Sequence, residues 1–179
     1  MQEACLVNHT IEGDIIRVNQ EAFRIINLSG HTLGQIGIIT PDQVLFAGDA
    51  IISQDYLEKF PFLYMANLEY QLATIERLKD LAFSYIVVSH GGLIDNWPET
   101  IKANEKQIQI IINIILNFIK EAKSREAIYQ EVIDRLDLPI NTSQYFLISA
   151  SISAFLSYLH TNKIIKIVIE DKQVKFICK

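Results

Sequence analysis

The sequence has little of what would place a protein outside the cell or in a membrane. Its two cysteines, Cys5 and Cys178, lie near opposite ends of the chain without CxxC spacing, so no disulfide framework is expected. The N-terminal segment lacks the basic start and the long apolar core of a signal peptide. The most apolar stretch, residues 108–119, is interrupted by one glutamine and two asparagines, which makes it too short and too polar to span a bilayer. These absences predict a cytoplasmic protein with no membrane partner.

Positive charge is also scarce in the first part of the chain. Residues 1–100 contain 5 Lys and Arg against 13 Asp and Glu, whereas residues 101–179 contain 11 against 8, and the whole chain carries a net charge of −5. A net negative charge disfavours general affinity for nucleic acid. The 179 residues, half of them apolar, are enough to build one core or two small ones.

Three segments of the sequence share one pattern, an apolar run followed by a His or Asp with glycine close by. They are LSGHTLG at residues 28–34, LFAGD at 45–49 and IVVSHGG at 86–92. A buried strand that ends in such a residue holds the side chain at the edge of a sheet, and glycine lets the backbone approach a bound group. Two imidazoles and a carboxylate are a ligand set suited to zinc or another divalent transition metal.

In their order and spacing, these GHTxG, GD and SHG segments resemble the third, fourth and fifth metal motifs of the metallo-β-lactamase superfamily. The resemblance implies an αββα sandwich with two zinc ions, or other divalent ions, at one edge between its sheets. It implies that His31 binds the first ion, that His90 binds the second and that Asp49 bridges both. The implied activity is hydrolysis of a small ester-type substrate by a water activated at a dinuclear centre.

One part of the superfamily pattern is missing from the sequence. A His-x-His-x-Asp-His cluster should precede His31, but only His9 does, with no second His or Asp two to four residues away. We therefore expect the chain to begin midway through the fold. Two ions need roughly twice the three ligands found here, so the chain alone should be inactive. A fragment of a hydrolase, a half-site completed by another chain and a non-catalytic binding or assembly module that keeps the scaffold all remain open.

For residues 1–100, the resemblance implies the second half of the αββα sandwich, and the hydrophobic pattern predicts its individual elements. Residues 1–10 should form a loop. An antiparallel meander of four strands, then a helix and one more strand, is expected at residues 15–18, 23–28, 37–40, 44–47, 69–81 and 85–89. The loop at residues 50–68 contains Tyr56, Phe60, Phe62 and Tyr64. These rings either line a substrate pocket or cover a sheet edge, and the sequence favours neither.

Residues 101–179 are predicted to form a separate α+β, winged-helix-like domain. Helices are expected at about residues 99–122, after a Ser124 cap to residue 136, and after a Thr142 or Ser143 cap to about residue 160. A β-hairpin should follow at residues 163–178. The middle of the first helix is apolar nearly all round, so it must be buried on more than one side.

A serine nucleophile is a weaker interpretation of the same motifs. Ser29 and Ser89 stand close before the histidines, but a catalytic serine needs an oriented base with a third group behind it. The sequence also contains no GxSxG elbow. Metal ligation explains the pattern better.

Half of a sandwich would leave one face of its sheet uncovered. That face would carry Ile26, Leu28, Ile36, Ile38, Val44 and Phe46, or, in the other register, Phe23, Ile25 and Ile39 instead of their neighbours. Soluble monomers seldom expose an apolar face of this extent. We therefore expect a partner on it, either the missing N-terminal half as a separate polypeptide or a second copy of this chain.

The winged-helix outline generates a prediction about DNA. The expected recognition helix, residues 144–160, contains no Lys or Arg, and residues 101–179 carry only about +3 (11 − 8). Phosphate contacts depend on these cations, although lysines in the hairpin region could supply some. The chain should therefore not bind duplex DNA usefully at physiological salt. A gel shift at nanomolar protein that weakens steeply with added salt would contradict this.

Overall fold

The computed structural model describes residues 12–179, which form two β-sheets and five α-helices around one core. The strands are β1 (Ile15–Val18), β2 (Glu21–Asn27), β3 (Ile36–Ile39), β4 (Val44–Gly48), β5 (Tyr85–Val88), β6 (Gly92–Ile94), β7 (Lys123–Ser124), β8 (Ile165–Glu170) and β9 (Gln173–Cys178). The helices are α1 (Gln54–Lys59), α2 (Leu68–Asp80), α3 (Trp97–Phe118), α4 (Arg125–Leu136) and α5 (Thr142–Thr161). The predicted loop at residues 1–10, with Cys5 and His9, lies outside the described residues.

The larger sheet has six strands in the order β1-β2-β3-β4-β5-β6. Its first four strands form the predicted antiparallel meander. Strand β5 then pairs parallel to β4, and β6 pairs antiparallel to β5. The short helix α1 and strand β6 were not predicted, because six and three residues are too few to show a hydrophobic period.

Strands β2, β4 and β5 run in the same direction across this sheet. Strands β2 and β4 are each antiparallel to β3, and β4 is parallel to β5. The carboxyl ends of strands that share a direction meet at one edge of a sheet. The segments that follow these three strands are those that carry the predicted metal ligands.

The two faces of the larger sheet have different surroundings. One face is buried in the core and consists of Ile26, Leu28, Ile39, Leu45, Ala47, Ile86 and Val88. On the other face, the register aligns Ile38, Phe46, Val87 and Leu93 in one row. Phe46 is 47% exposed and Leu93 59%. We call this the open face.

The register decides which of the residues predicted for an uncovered face lie there. Ile36, Ile38, Val44 and Phe46 belong to the open face, as predicted. Strand β2 adopts the other register, so it places Phe23 and Ile25 on that face and buries Ile26 and Leu28. Ile39 is buried in the core, and Ile25 is fully buried although it lies on the open side.

Helix α3 is the central element of the core. It contacts α1, α2 and α4, and it buries Ile101, Ile108, Ile111, Ile112 and Ile115. Burial on several sides was predicted from its apolar middle and is confirmed. Pro98 occupies the first turn, where its missing N–H costs nothing. The domain boundary predicted at residue 100 falls inside α3, and one hydrophobic cluster continues through both parts; the division at that residue stays a prediction.

The C-terminal helices and hairpin occur in the predicted order. Ser124 caps α4 as expected, by accepting a hydrogen bond from the Ala127 amide. Helix α5 is capped by Asn141, one residue before the predicted Thr142 or Ser143, because Asn141 and Gln144 form a reciprocal capping box that satisfies two amides at once. The hairpin β8–β9 adds β7 on its β9 side to form the smaller sheet. Its assignment as a winged helix stays a prediction.

No helix among residues 12–179 combines the length and the apolar character needed to cross a membrane.

Three buried polar side chains hold the loop between β4 and α2 against the helices. Asn104 of α3 accepts from the Ile52 amide at 3.0 Å and donates to the Ile52 carbonyl at 2.7 Å. Gln107, one turn later, donates to the Pro61 carbonyl. Ser151 of α5 accepts from the Met65 amide at 3.0 Å. Since Asn104 and Ser151 are completely buried, these bonds fix the loop where water cannot replace them.

The Asn104 clamp generates a prediction about stability. Asn104→Leu keeps the volume but leaves the amide and carbonyl of Ile52 without their partner, and each unsatisfied buried group costs about 1–3 kcal/mol. The free energy of unfolding should therefore fall by about 2–4 kcal/mol in urea titrations. Asn117→Leu, at an exposed position of the same helix, is the matched control and should change stability little. Equal effects of the two substitutions would contradict the clamp.

Candidate functional site

The three predicted ligands meet at the edge where β2, β4 and β5 end. His31 Nε2 lies 3.9 Å from Asp49 Oδ2, and His90 Nε2 lies 3.3 Å from Asp49 Oδ1. Asp49 therefore stands between two imidazoles that come from segments 59 residues apart in the sequence. The common direction of the three strands produces this meeting.

The orientation of His31 is set by the loop that precedes α2. Its Nδ1 lies 3.1 Å from the carbonyl oxygen of Tyr64. A carbonyl can only accept, so Nδ1 is the donor in this contact, and Nε2 is the nitrogen that faces Asp49. The Tyr64 ring also packs edge-on against the imidazole, with the ring centroids 4.9 Å apart. A histidine held through one nitrogen in this way presents the other as a ligand.

Gly30 brings the His31 turn against helix α2. Its φ is +146°, and a Cβ there would lie 2.6 Å from Gln71 Cα, so only glycine fits. The Gly30 carbonyl accepts from the amides of Ala66 and Asn67 at 2.9 and 3.1 Å. The turn is thereby attached to the start of α2. This helix follows the loop at residues 50–68, which we call the aromatic loop.

Asp49 has one carboxylate oxygen in an unusual position. Its Oδ1 atom is buried, yet it receives no hydrogen bond from any described residue. The nearby His90 Nε2, at 3.3 Å, is within ion-pair distance without meeting hydrogen-bond geometry. A buried carboxylate oxygen without a donor is costly, and a bound cation would remove that cost.

His90 is held by backbone contacts and by an aromatic ring. Its carbonyl accepts from the Ser53 amide at 3.0 Å. At Gly91, with φ +133°, a Cβ would overlap the Ser53 side chain, so glycine permits this close approach. The ring of Tyr56 packs on the imidazole, with the centroids 4.8 Å apart. Tyr56 thus lies directly beside the predicted ligand.

The donor chemistry of these side chains suits a divalent metal, but their number is too small for a closed site. Two imidazole nitrogens and a carboxylate are typical zinc ligands, and the orphaned oxygen of Asp49 fits a cation. Within residues 12–179, however, no group of three or more His, Cys, Asp and Glu side chains is arranged to hold a metal ion. The three residues therefore fit part of a metal centre.

The contacts of Ser29 do not support a serine nucleophile. The hydroxyl of Ser29 donates to the Leu33 carbonyl at 2.7 Å, and its own carbonyl accepts from Thr74 at 2.7 Å. Both interactions shape the turn that carries His31. Ser29 is a structural residue of the site.

A cavity of about 350 Å³ opens beside the three residues. All four rings of the aromatic loop line it, which favours the pocket-wall interpretation of that loop. The opposite wall comes from α5. The lining residues are His31, Asp49, Ile52, Tyr56, Phe60, Phe62, Leu63, Tyr64, His90, Gln144, Leu147 and Ile148.

The contribution of α5 was missed in the sequence. Gln144, Leu147 and Ile148 recur at three- and four-residue intervals on one side of this helix, but that spacing is also normal for packing. The hydrogen bond from the Met65 amide to Ser151 is what brings the helix against the aromatic loop. No signal in the sequence pairs residues 86 positions apart.

No family model and no curated protein matches the sequence, whereas solved structures do match the fold. A metallo-beta-lactamase family protein from Thermus thermophilus is 19% identical, with a TM-score of 0.76 over 95% of this chain and 54% of that protein. A beta-lactamase domain protein from Burkholderia ambifaria is 15% identical, with a TM-score of 0.81 over 96% of this chain and 52% of that protein.

These likenesses show that the chain has a metallo-β-lactamase-type α/β fold, as predicted. The half-sandwich and winged-helix details of that prediction stay predictions. The chain spans about half the length of the solved structures it matches.

Proposed function

We propose that this chain is the part of a metal-dependent hydrolase that contributes His31, Asp49 and His90 to a dinuclear zinc site. His31 would bind one ion, His90 the other, and Asp49 would bridge them. Residues other than these three would supply the remaining ligands. When bound, the ions would lower the pKa of a water molecule and stabilise developing negative charge on the substrate.

The observation that carries this proposal is the placement of Asp49. Its buried oxygen has no hydrogen-bond donor among the described residues, and it stands between two imidazoles at the mouth of a cavity. A structural aspartate would be expected to have a donor at that position. The Tyr64 carbonyl and the Tyr56 ring orient the histidines around it.

The reaction proposed is hydrolysis of a small ester-type substrate. One water adds its oxygen to the carbonyl carbon, and the bond from that carbon to the leaving oxygen or sulfur breaks. The leaving group takes one proton of the water, and the acid releases the other to solvent. The cavity beside the three residues is where this chain would hold the substrate.

Metal analysis tests the number of ligands. The isolated chain should bind zinc weakly or not at all, because three ligands leave two ions short of donors. After dialysis, elemental analysis should therefore find well below two zinc ions per chain. Two tightly held ions per isolated chain would show that its own residues suffice.

The activity is tested on protein that carries a C-terminal affinity tag and is purified from the organism that encodes it. We expect the purified protein to contain zinc and to hydrolyse ester or thioester substrates. Asp49→Asn should lower kcat/KM at least about 100-fold, since even the outer partners of metal ligands are worth 10- to 100-fold. Asp55→Asn, at an exposed position of α1, should leave kcat/KM unchanged. A metal-free species without hydrolysis, or an unaffected Asp49→Asn variant, would overturn the proposal.

A partner on the open face is part of the same proposal. Four apolar side chains on this face are each more than a third exposed, and they lie on the adjacent strands β3, β4, β5 and β6: Ile36, Phe46, Tyr85 and Leu93. An apolar face of roughly 400 Å² left in water forgoes about 10 kcal/mol, which is comparable to the net stability of a domain. Either the other half of a sandwich or a second copy of this chain would cover it.

Assembly is tested by native mass spectrometry and light scattering. The isolated chain should form dimers or larger particles, and Phe46→Glu should reduce this association by placing charge on the open face. Ile169→Glu, at an exposed position of β8, is the matched control and should not. A folded monomer of 20.5 kDa with sharp thermal unfolding would refute the proposal of a partner on the open face.

A further inference from the structure

The cavity beside the three residues has a composition that limits what it can hold. Among the described residues that line it, none is Lys or Arg, and Asp49 is the one acidic residue. Its walls are leucine, isoleucine and phenylalanine, with two tyrosines and one glutamine. Small-molecule sites of this kind bind apolar groups and fix them with a few polar contacts.

The polar and apolar groups of the cavity are separated. His31, Asp49 and His90 lie together at the strand ends. Phe62, Leu63 and Ile148 are buried and form the deeper, apolar part. A ligand that filled this cavity would place a polar centre at the three residues and an apolar portion against the loop and α5.

Helix α5 exposes an apolar side chain at this position. Leu147 lines the cavity and is 48% exposed. The bond between Ser151 and Met65 fixes the helix in place one turn later. Leu147 would therefore lose contact with water when a ligand enters.

We propose that this cavity binds the uncharged, medium-length acyl group of an ester or thioester. The inference rests on the proposed function and names the substrate class of the same site. A volume of about 350 Å³ at about 30 Å³ per water-sized group holds about twelve groups, or an acyl group of about eight carbons, counting the reacting carbonyl, with the first atoms of its leaving group.

The absence of cations around the cavity argues against a nucleotide phosphodiester. Proteins that bind single strands combine stacking aromatics with a positively charged groove that follows the phosphates. Tyr56, Phe60 and Tyr64 could stack on bases, but no described Lys or Arg lines the cavity to meet the flanking phosphates. The aromatic rings are better explained as apolar wall.

Binding of neutral, non-hydrolysable analogues tests the inference. N-methylamides of straight-chain acids from four to twelve carbons are titrated into the protein purified from its own cells, with ligand-observed NMR as the readout. Affinity should rise about fourfold for each methylene and level off near eight carbons. A phosphodiester dinucleotide should bind more weakly than the octanoyl amide.

Two variants on the same helix localise the binding. Leu147→Lys places a charge in the cavity and should lower affinity for the octanoyl amide at least about tenfold while leaving the butanoyl amide nearly unchanged. Phe146→Lys, at the neighbouring position that is 65% exposed and outside the cavity, should have no effect. Circular dichroism confirms that both variants are folded.

The outcomes separate this inference from the proposed function. Affinity that does not depend on chain length, tighter binding of the dinucleotide, or equal behaviour of the two variants would overturn the acyl pocket even if the protein hydrolyses esters. Chain-length dependence in a species without metal or hydrolysis would support the pocket and reject the hydrolase.

Discussion

The shared direction of β2, β4 and β5 is the constraint on which the rest of the structure depends. Because these strands end at one edge of the sheet, residues far apart in the sequence meet there. Each strand end then needs a backbone turn that places its side chain. Gly30 and Gly91 allow those turns to lie against Gln71 and Ser53, where any Cβ would collide. The meeting of His31, Asp49 and His90 at this edge follows from strand order first and from the glycine turns second.

A second set of interactions holds in place the loop between β4 and α2, which faces that edge. The loop between β4 and α2 contains a single short helix, so its own hydrogen bonds could not hold it. Asn104, Gln107 and Ser151 supply the missing partners from α3 and α5. The same loop carries Tyr64, whose carbonyl orients His31, and Tyr56, whose ring packs on His90. Residues of the C-terminal helices therefore act on the metal-ligand candidates through the loop between them.

The features that could be predicted from the sequence are those determined by residues close together in the chain. The strand ends carry both an apolar run and a polar residue within seven positions, so His31, Asp49 and His90 could be assigned together, and the meander followed from alternation and turns. The features that were missed depend on contacts between distant segments. Strands β6 and β7 exist because longer strands offer them an edge. The cap at Asn141 depends on the reciprocal bond with Gln144, and the cavity wall of α5 depends on Ser151, 86 residues from its partner.

The three candidate ligands and the open face belong to the same sheet, and this links them physically. Asp49 has a buried carboxylate oxygen without a hydrogen-bond donor among the described residues, while Phe46 and Leu93 leave apolar surface in water on one face. A sheet packed on that face would run along the edge where β2, β4 and β5 end, so its own strand ends could reach the site. Covering the face and completing the site would then be one event. Under the proposed function, folding and assembly of the metal centre would be thermodynamically coupled, since ligands that bind only the assembled state stabilise it.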